Sequence, residues 1–407
     1  MSRKRVPGSK RAAPLRKPDF LLFFLILALL AFGLIMVLSA GAIKSFNFTN
    51  NTNAYYYALQ QLKWALVGGV LAYITTRIPY TYWRRFAGPA MVVSLILLFA
   101  VLFSKAGVEA KGSARWLNIA GLVFQPSELV KLTLILFYAK FLDRYPVRTI
   151  RDLYLPGGLL VIVLALVYKQ PDLGTTMVLG LTAMALLLQT ELPTKWFAMA
   201  VPLALGSLYL LVRSTEYQWQ RVLVWLNPWK YVSNQGYQIV NAEIAFGTGG
   251  LFGVGLGRSL QKYGFLPENY TDTIFAIVGE EFGLLGTTIM VALFVGLFAR
   301  CYKIVGECPD RFGRLLGYGI TSSLAIQTTI NLAVVTGVMP LTGITLPLIS
   351  YGGTSLSVTM AELGILLNIS RYRQPRVVPN SPEIQKDDNA KQQKARRRRS
   401  LSPSRTR

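Results

Sequence analysis

Long runs without a charged side chain recur along the chain, most clearly at residues 20–43, 86–104, 173–190 and 315–336. Each is close to the ~20 residues an α-helix needs to cross ~30 Å of hydrocarbon. A window of ~19 residues predicts ten helical spans. Their cores lie at 20–43, 62–78, 86–104, 128–142, 154–168, 173–190, 195–212, 274–299, 314–338 and 352–370. The fold class expected is therefore all-α, a polytopic integral membrane protein with about ten transmembrane helices. The first run is too long for a cleaved signal peptide, and no small-residue cleavage pattern follows it.

The basic residues orient the spans. Arg77, Arg84, Arg85, Lys140, Arg144, Arg148, Arg151, Lys195, Arg300, Lys303, Arg311 and Arg314 fall in connections on one side. That side is cytoplasmic by the excess of Lys and Arg in inner loops, and an even number of spans puts both termini there. The opposite side receives an Asn/Tyr-rich loop at 44–60, a loop at 105–127 and the turn 168–174. It also receives the one long extracytoplasmic loop, 213–273, and the segment 339–353. Within the long loop, 217–229 and 237–246 are aromatic-rich and read as helical interfacial pieces. The domains expected are a basic tail at 1–19, a transmembrane domain at 20–372 and a basic tail at 373–407 that reads as disordered.

Composition agrees: 52% of residues are hydrophobic, 15% are charged, and mean hydropathy is +0.41. The net charge of +24 suggests a nucleic-acid ligand until it is located. The first 19 residues hold seven Lys/Arg against one Asp, and residues 371–407 hold twelve against three acids, so the tails carry fifteen of the 24. Basic tails beside membrane helices set topology and touch anionic lipid. With no aromatic or groove-reading element beside the arginines at 396–399, no nucleic-acid partner is expected. Histidine is absent and cysteine occurs only at 301 and 308, which excludes His-based triads, His-dependent zinc sites and disulfide frameworks. Chemistry here must rest on carboxylates, Lys/Arg, hydroxyls or an oxygen-bound cation.

Charged groups on the outer side run against the topology bias and each needs a reason. Lys111 and Arg115 sit in KGSARW, Glu128 and Lys131 three apart in PSELVK, and Lys169, Gln170 and Asp172 in YKQPD. Glu128 and Lys131 share a helix face and can pair. Ionisable groups at such depth are costly and mark sites or helix contacts. Asp172, after Gln-Pro, suits a helix cap as well as a site. Asp272 stands before an apolar run in QKYGFLPENYTDTIFAIVGEEFGLLG, where it is either a helix cap or a general base at the membrane boundary. Glu280 and Glu281 follow two turns later and are expected to support packing or partner contact. The glycines of AFGTGGLFGVGLGRS lack the phosphate-loop lysine and read as a turn-rich loop that brings backbone close to a ligand. GVMPLTGITLPLISYGGTS reads as a broken segment lining a cavity. Asn331 and Glu362 need interior partners.

Four blocks, GSARWLNIAGLVFQPSELVKL, QPDLGT, the stretch from AFGTGG to FGLLG and MPLTGITLPLISYGGTS, occur in this order among the ten spans. In this the chain resembles the SEDS family of bacterial membrane proteins over about residues 20–372. It is nearer the FtsW-like division and sporulation branch than the RodA-like elongation branch. Thr273 and Thr354 depart from the family pattern, which usually has Phe and Ser there. The resemblance implies a peptidoglycan glycosyltransferase polymerising lipid II at the outer face of the bacterial cytoplasmic membrane, at the division septum. It implies work beside a cognate class B penicillin-binding transpeptidase and other division proteins, among membrane lipids. It maps the essential aspartate onto Asp272 and the substrate-binding charged positions onto Arg115, Glu128, Lys131 and Asp172, with Lys111 and Gln170 beside them. Arg115 and Lys131, with or without a divalent cation (Mg or Mn), would stabilise the departing pyrophosphate. A lipid II flippase and a non-catalytic division scaffold are the competing readings.

Overall fold

The computed structural model describes residues 16–103, 107–110, 113–119, 122–233 and 236–373. Lys111 and both outer tails, 1–15 and 374–407, lie outside the described residues. Twelve helices appear among them: α1 Phe20–Phe48, α2 Tyr56–Arg77, α3 Tyr80–Phe103, α4 Pro126–Arg144, α5 Tyr154–Tyr168, α6 Leu173–Leu187, α7 Thr194–Ser214, α8 Glu216–Leu226, α9 Tyr237–Gly249, α10 Ile274–Gly306, α11 Arg311–Val335 and α12 Gly353–Ser370. Ten coincide with the ten expected spans, and α8 and α9 are the two aromatic pieces of the long loop. Five of the helices, or helix stretches, are long and apolar enough to cross a membrane on their own account. Of the others, α4, α11 and α12 are largely buried among neighbours. α11 packs against α4, α6, α10 and α12, and α4 also against α3, so these two helices face protein rather than lipid. That is why they can carry amides and charges. α7 is the opposite case, with Val212 its one buried residue.

Two outer connections depart from the loops expected. α1 and α2 extend toward each other, leaving 49–55 of the 44–60 loop. The α3–α4 connection folds as an antiparallel meander, β1 Gly107–Ala110, β2 Ser113–Ile119 and β3 Leu122–Phe124, with Leu117 facing Gly107 and Phe124. Its strands are three to seven residues long, too short for their period-2 alternation to stand out against flanking helices. β2 carries a bulge opposite Val108 and Glu109, with Arg115 as its extra residue. Leu117 is buried, so its face of β2 turns toward the helices.

The glycine-rich stretch after α9 does approach backbone closely, but the backbone is the chain's own. α10 is broken at Gly283, whose φ of 65° and ψ of −163° are essentially restricted to glycine. Residues 250–255 lie across the break. The amides of Val254 and Gly255 donate to the carbonyls of Glu280 and Glu281 at 3.0 Å, and those of Leu284 and Leu285 donate to Gly250 and Leu251 at 2.9 and 3.1 Å. Thus the inserted chain replaces the helix bonds lost at the kink. The two glutamates hold the same loop. Glu280 accepts from the Leu260 and Gln261 amides and the Ser259 hydroxyl, while Glu281 takes Lys262 at 3.4 Å and the Ser39 hydroxyl at 2.6 Å.

At the other face the two ends of the bundle are clamped. The Asp19 carboxylate caps α1 through the Leu22 amide and pairs with Arg300 at 2.5 Å and Arg373 at 2.6 Å. Burial alone would raise its pKa. The Arg300 hydrogen bond, the Leu22 amide and the two guanidinium charges outweigh burial and hold it at about 2. This carboxylate therefore stabilises the fold above the ordinary carboxylate range, and its contribution disappears as pH falls through about 2.

Two outcomes follow for stability. Gly283→Ala, forced into a glycine-only conformation and against the Gly253 amide, lowers the unfolding midpoint in detergent by an amount equivalent to about 1–3 kcal/mol or more. Gly157→Ala, where a methyl meets open space, does not lower it. Asp19→Asn costs about 2 kcal/mol at neutral pH, the linkage equivalent of its lowered pKa. The gap in midpoint between that variant and the parent narrows as pH is lowered from 4 towards 2 in the same melting assay.

Candidate active site

The outer ends of α4, α6, α10 and α11 meet the irregular chain 336–352, and the candidate residues are distributed around it. α4 begins with Pro126 at its first position, which puts Glu128 in the first turn and Lys131 on the same face. Both are buried, and the Lys131 ammonium lies 2.8 Å from Glu128. It also donates to the Gln327 amide oxygen of α11 at 2.5 Å, while the Gln327 nitrogen donates to the Thr345 carbonyl at 2.9 Å. Buried Glu362 of α12 feels these same two charges, Lys131 and Glu128. Lys131 is thus tied to α11 and, through Gln327, to the irregular segment.

A second group forms where α6 begins. Asp172 does cap this helix, accepting from the Thr175 amide at 3.1 Å and hydroxyl at 2.9 Å. It is more than a cap, because the side chain of Gln125, the residue before α4, donates to it at 3.2 Å. Arg115 crosses from β2, its Nε donating to the Gln170 carbonyl at 3.0 Å and an Nη to the Pro171 carbonyl. Gln170 is buried and donates to the Leu98 carbonyl at 3.4 Å. The backbone N–H of Gln125 also donates to the Thr354 hydroxyl at 3.3 Å, which ties the start of α4 to that of α12.

Asp272 is not the cap of α10. That position belongs to Thr273, which makes no capping bond with its side chain and instead donates to the carbonyls of Pro267 and Glu268. The Asp272 carboxylate is half-buried and accepts from Thr271 at 3.2 Å. Its own carbonyl is fixed by Asn331, whose side-chain nitrogen donates to Asp272 at 2.8 Å and to Ile344 at 2.7 Å. Gly343, at φ +76°, passes before the carboxylate, and a methyl built there would lie 3.8 Å from Oδ2. On its other side the segment packs on Gly174, where a methyl would come within 2.5 Å of Ile344. Residues 342–345 therefore separate and connect three groups: Asp272, the Arg115–Asp172 group at α6 and the Glu128–Lys131–Gln327 group. Gln61 closes the segment by donating to the Ser350 carbonyl at 3.0 Å and accepting from the Gly352 amide at 3.3 Å.

Beside Asp172 opens an apolar cavity of about 340 Å³, bounded by α6, α7, α8 and residues 339–342, with Met177, Leu205, Val212, Trp219 and Leu341 on its walls. Arg221 spans its edge to the Leu341 carbonyl at 2.9 Å. Among the described residues no three Asp, Glu or Cys side chains gather as a metal site.

A family model described as "cell cycle protein", covering FtsW, RodA and SpoVE, matches residues 20–375. The chain belongs to this FtsW/RodA/SpoVE family. It is the SEDS family that the four sequence blocks resemble. The probable peptidoglycan glycosyltransferase FtsW of Geobacter sulfurreducens is 40% identical over 359 residues, covering 86% of this chain and 95% of that protein. Stage V sporulation protein E of Bacillus subtilis is 38% identical, covering 87% and 97%. Among solved structures, a chain of a peptidoglycan synthase complex that coordinates polymerization and crosslinking superposes with a TM-score of 0.72. It is 31% identical and covered over 98% of its length by 88% of this chain. Rod shape determining protein RodA of Thermus thermophilus gives 0.65 at 29% identity, with coverages of 88% and 98%. The SEDS-family fold accounts for a multi-pass membrane protein with the helices described.

Gln125, Gln327 and Gln61 escape a reading that looks for charge, although Gln327 stands four residues before Asn331 and hence on its helix face. Asn331→Ala leaves the Asp272 and Ile344 carbonyls without their donor, at about 1–3 kcal/mol for each buried group left unpaired. Hydrogen exchange is expected to speed up at 271–273 and 342–346 in this variant, with the cytoplasmic ends of α10 and α11 unchanged.

Proposed function

We propose that this chain is a peptidoglycan glycosyltransferase that polymerises lipid II at the outer membrane face, with Asp272 as general base. The observation that carries the assignment is the place of the Asp272 carboxylate at the outer end of α10, facing Gly343 of the irregular segment. Its backbone is pinned by Asn331, so the carboxylate is held at a fixed place beside the 342–345 segment. The reaction joins the 4-hydroxyl of one lipid-linked sugar to the anomeric carbon of another and expels undecaprenyl pyrophosphate. A carboxylate within reach of that hydroxyl takes its proton as the bond forms. Direct attack of this kind inverts the anomeric centre.

The leaving pyrophosphate needs positive charge and hydrogen-bond donors. Arg115 suits this best: among the described residues the Gln170 and Pro171 carbonyls occupy two of its five N–H groups. Lys131 is buried, neutralised by Glu128 and bonded to Gln327, so one N–H is left and its main work is to hold α4 to α11. Asp172 and Gln170 place Arg115 and the start of α6. A divalent cation, if the reaction uses one, would be held by the pyrophosphate oxygens and one or two carboxylates, a usual mode for Mg²⁺ that needs no preformed cluster of three. The apolar cavity next to Asp172 suits a prenyl chain. The partner expected is a crosslinking transpeptidase of the penicillin-binding class, and the place expected is the division septum.

Purified chain with its transpeptidase is expected to make glycan strands from lipid II in detergent, where no second compartment exists. Asp272→Ala abolishes the product while leaving the unfolding midpoint and the partner bound; Arg115→Gln lowers the rate by roughly 10²-fold or more, on the scale of losing one preorganised donor. Normal polymerisation by Asp272→Ala sinks the base assignment. Lipid movement across vesicles with no polymer in detergent would make the protein a flippase, and neither activity would make it a scaffold.

A further inference from the structure

At the face opposite the candidate site, where α10 ends and α11 begins, a half-open cavity of about 380 Å³ is unused by the chemistry above. The end of α6 closes its third side. Arg311 and Arg314 project from the first turn of α11, Gln189 from the end of α6, and Leu315 with the rings of Tyr302 and Tyr318 forms an apolar wall. The two rings pack with centroids 5.6 Å apart. Among the described residues no carboxylate lines the cavity, and the nearby Asp310 and Glu307 are engaged elsewhere. Asp310 accepts the Gly313 amide at 3.1 Å as the cap of α11, and Glu307 pairs with Arg373 at 3.5 Å. Among the described residues neither the Arg311 nor the Arg314 guanidinium makes an ion pair or hydrogen bond, and both residues are exposed.

This cavity lies on the side of the Asp19–Arg300–Arg373 clamp, where the bundle's two ends meet, and the excess of Lys and Arg makes that side cytoplasmic. Two unpaired guanidinium groups above an aromatic and aliphatic wall, at the level where hydrocarbon gives way to headgroups, match one ligand chemistry. That chemistry is a phosphate ester with an apolar body, and basic pockets between helices on this side bind anionic headgroups. Arginine offers such a phosphate a planar pair of donors. We propose that the cavity is a binding site for an anionic glycerophospholipid of the cytoplasmic leaflet. Arg311 and Arg314 hold the phosphate, Gln189 hydrogen-bonds the headgroup, and Leu315 and the two tyrosines take the glycerol and first acyl carbons. A bound lipid there braces the turn between α10 and α11, the two helices that carry Asp272 and Asn331 at their other ends. The site is independent of the chemistry assigned to Asp272.

The test is lipid retention by the full chain in detergent, read by native mass spectrometry, together with the shift in unfolding midpoint on adding phosphatidylglycerol, phosphatidylcholine or inorganic phosphate. Phosphatidylglycerol is expected to bind and raise the midpoint, and phosphatidylcholine to do so at least tenfold more weakly. The double substitution Arg311→Gln, Arg314→Gln weakens phosphatidylglycerol at least tenfold. Arg85→Gln, on the same side but outside the cavity, leaves it unchanged. The double substitution to Lys keeps the charge without the planar donors and binds more tightly than the Gln variant but less tightly than the parent, which separates lost charge from lost folding. Equal binding of both lipids, or of phosphatidylglycerol by parent and Gln variant, overturns the proposal. Inorganic phosphate displacing the lipid at equal concentration also overturns it, in favour of a soluble phosphate ligand.

Discussion

Backbone that leaves a helix inside a buried, apolar surrounding must find partners for its N–H and C=O groups, and the structure depends on how two such stretches do so. The segment between α11 and α12 has buried residues at 342, 344, 346 and 348–350 yet no helix of its own. Its carbonyls at Ile344, Thr345 and Ser350 are met by Asn331, Gln327 and Gln61, and its Tyr351 amide by the carbonyl of Tyr270. The break in α10 is met by residues 250–255 in the same spirit. Two of these three amide side chains also tie the irregular chain to a candidate residue: Asn331 to Asp272, Gln327 to Lys131. Positioning of the candidate site is therefore a by-product of solving the backbone problem.

The same economy governs charge. An ammonium and carboxylates in an apolar bundle are tolerated when paired, and Lys131 with Glu128 and Lys262 with Glu281 are paired across buried contacts. These pairs sit on helices and loops enclosed by protein. The lipid-facing α7 keeps its charges at its ends, Lys195 and Arg213, beyond the apolar stretch. Arg115 is different in kind: among the described residues its guanidinium bonds backbone carbonyls rather than a carboxylate, which suits a group that meets an anionic ligand.

Hydropathy made the helices legible, because a spanning segment announces itself by length alone. It could not show the break at Gly283, since a helix patched by another stretch of chain keeps its apolar composition. Nor could it show the meander, whose three short strands hide among loop residues. For the site, sequence placed Asp172 and Asp272 before apolar runs and could not say which was a cap. The structure separates them, giving Asp172 the Thr175 amide and leaving the cap of α10 to Thr273. The neutral amides Gln125 and Gln327 stayed hidden because nothing in their residue type distinguishes a bridging glutamine from a tolerated one. The glutamates at 280 and 281 were expected to support packing, and they do, with the inserted loop as the partner.

The account rests on Asp272 acting through its proton affinity rather than as a nucleophile. Its most direct test is the fate of the anomeric centre in the first bond formed from lipid II, read by NMR, with the intact mass of the protein recorded during turnover. Inversion, with no sugar attached to the chain, is the result predicted. Retention with a glycosyl adduct on Asp272 would contradict it.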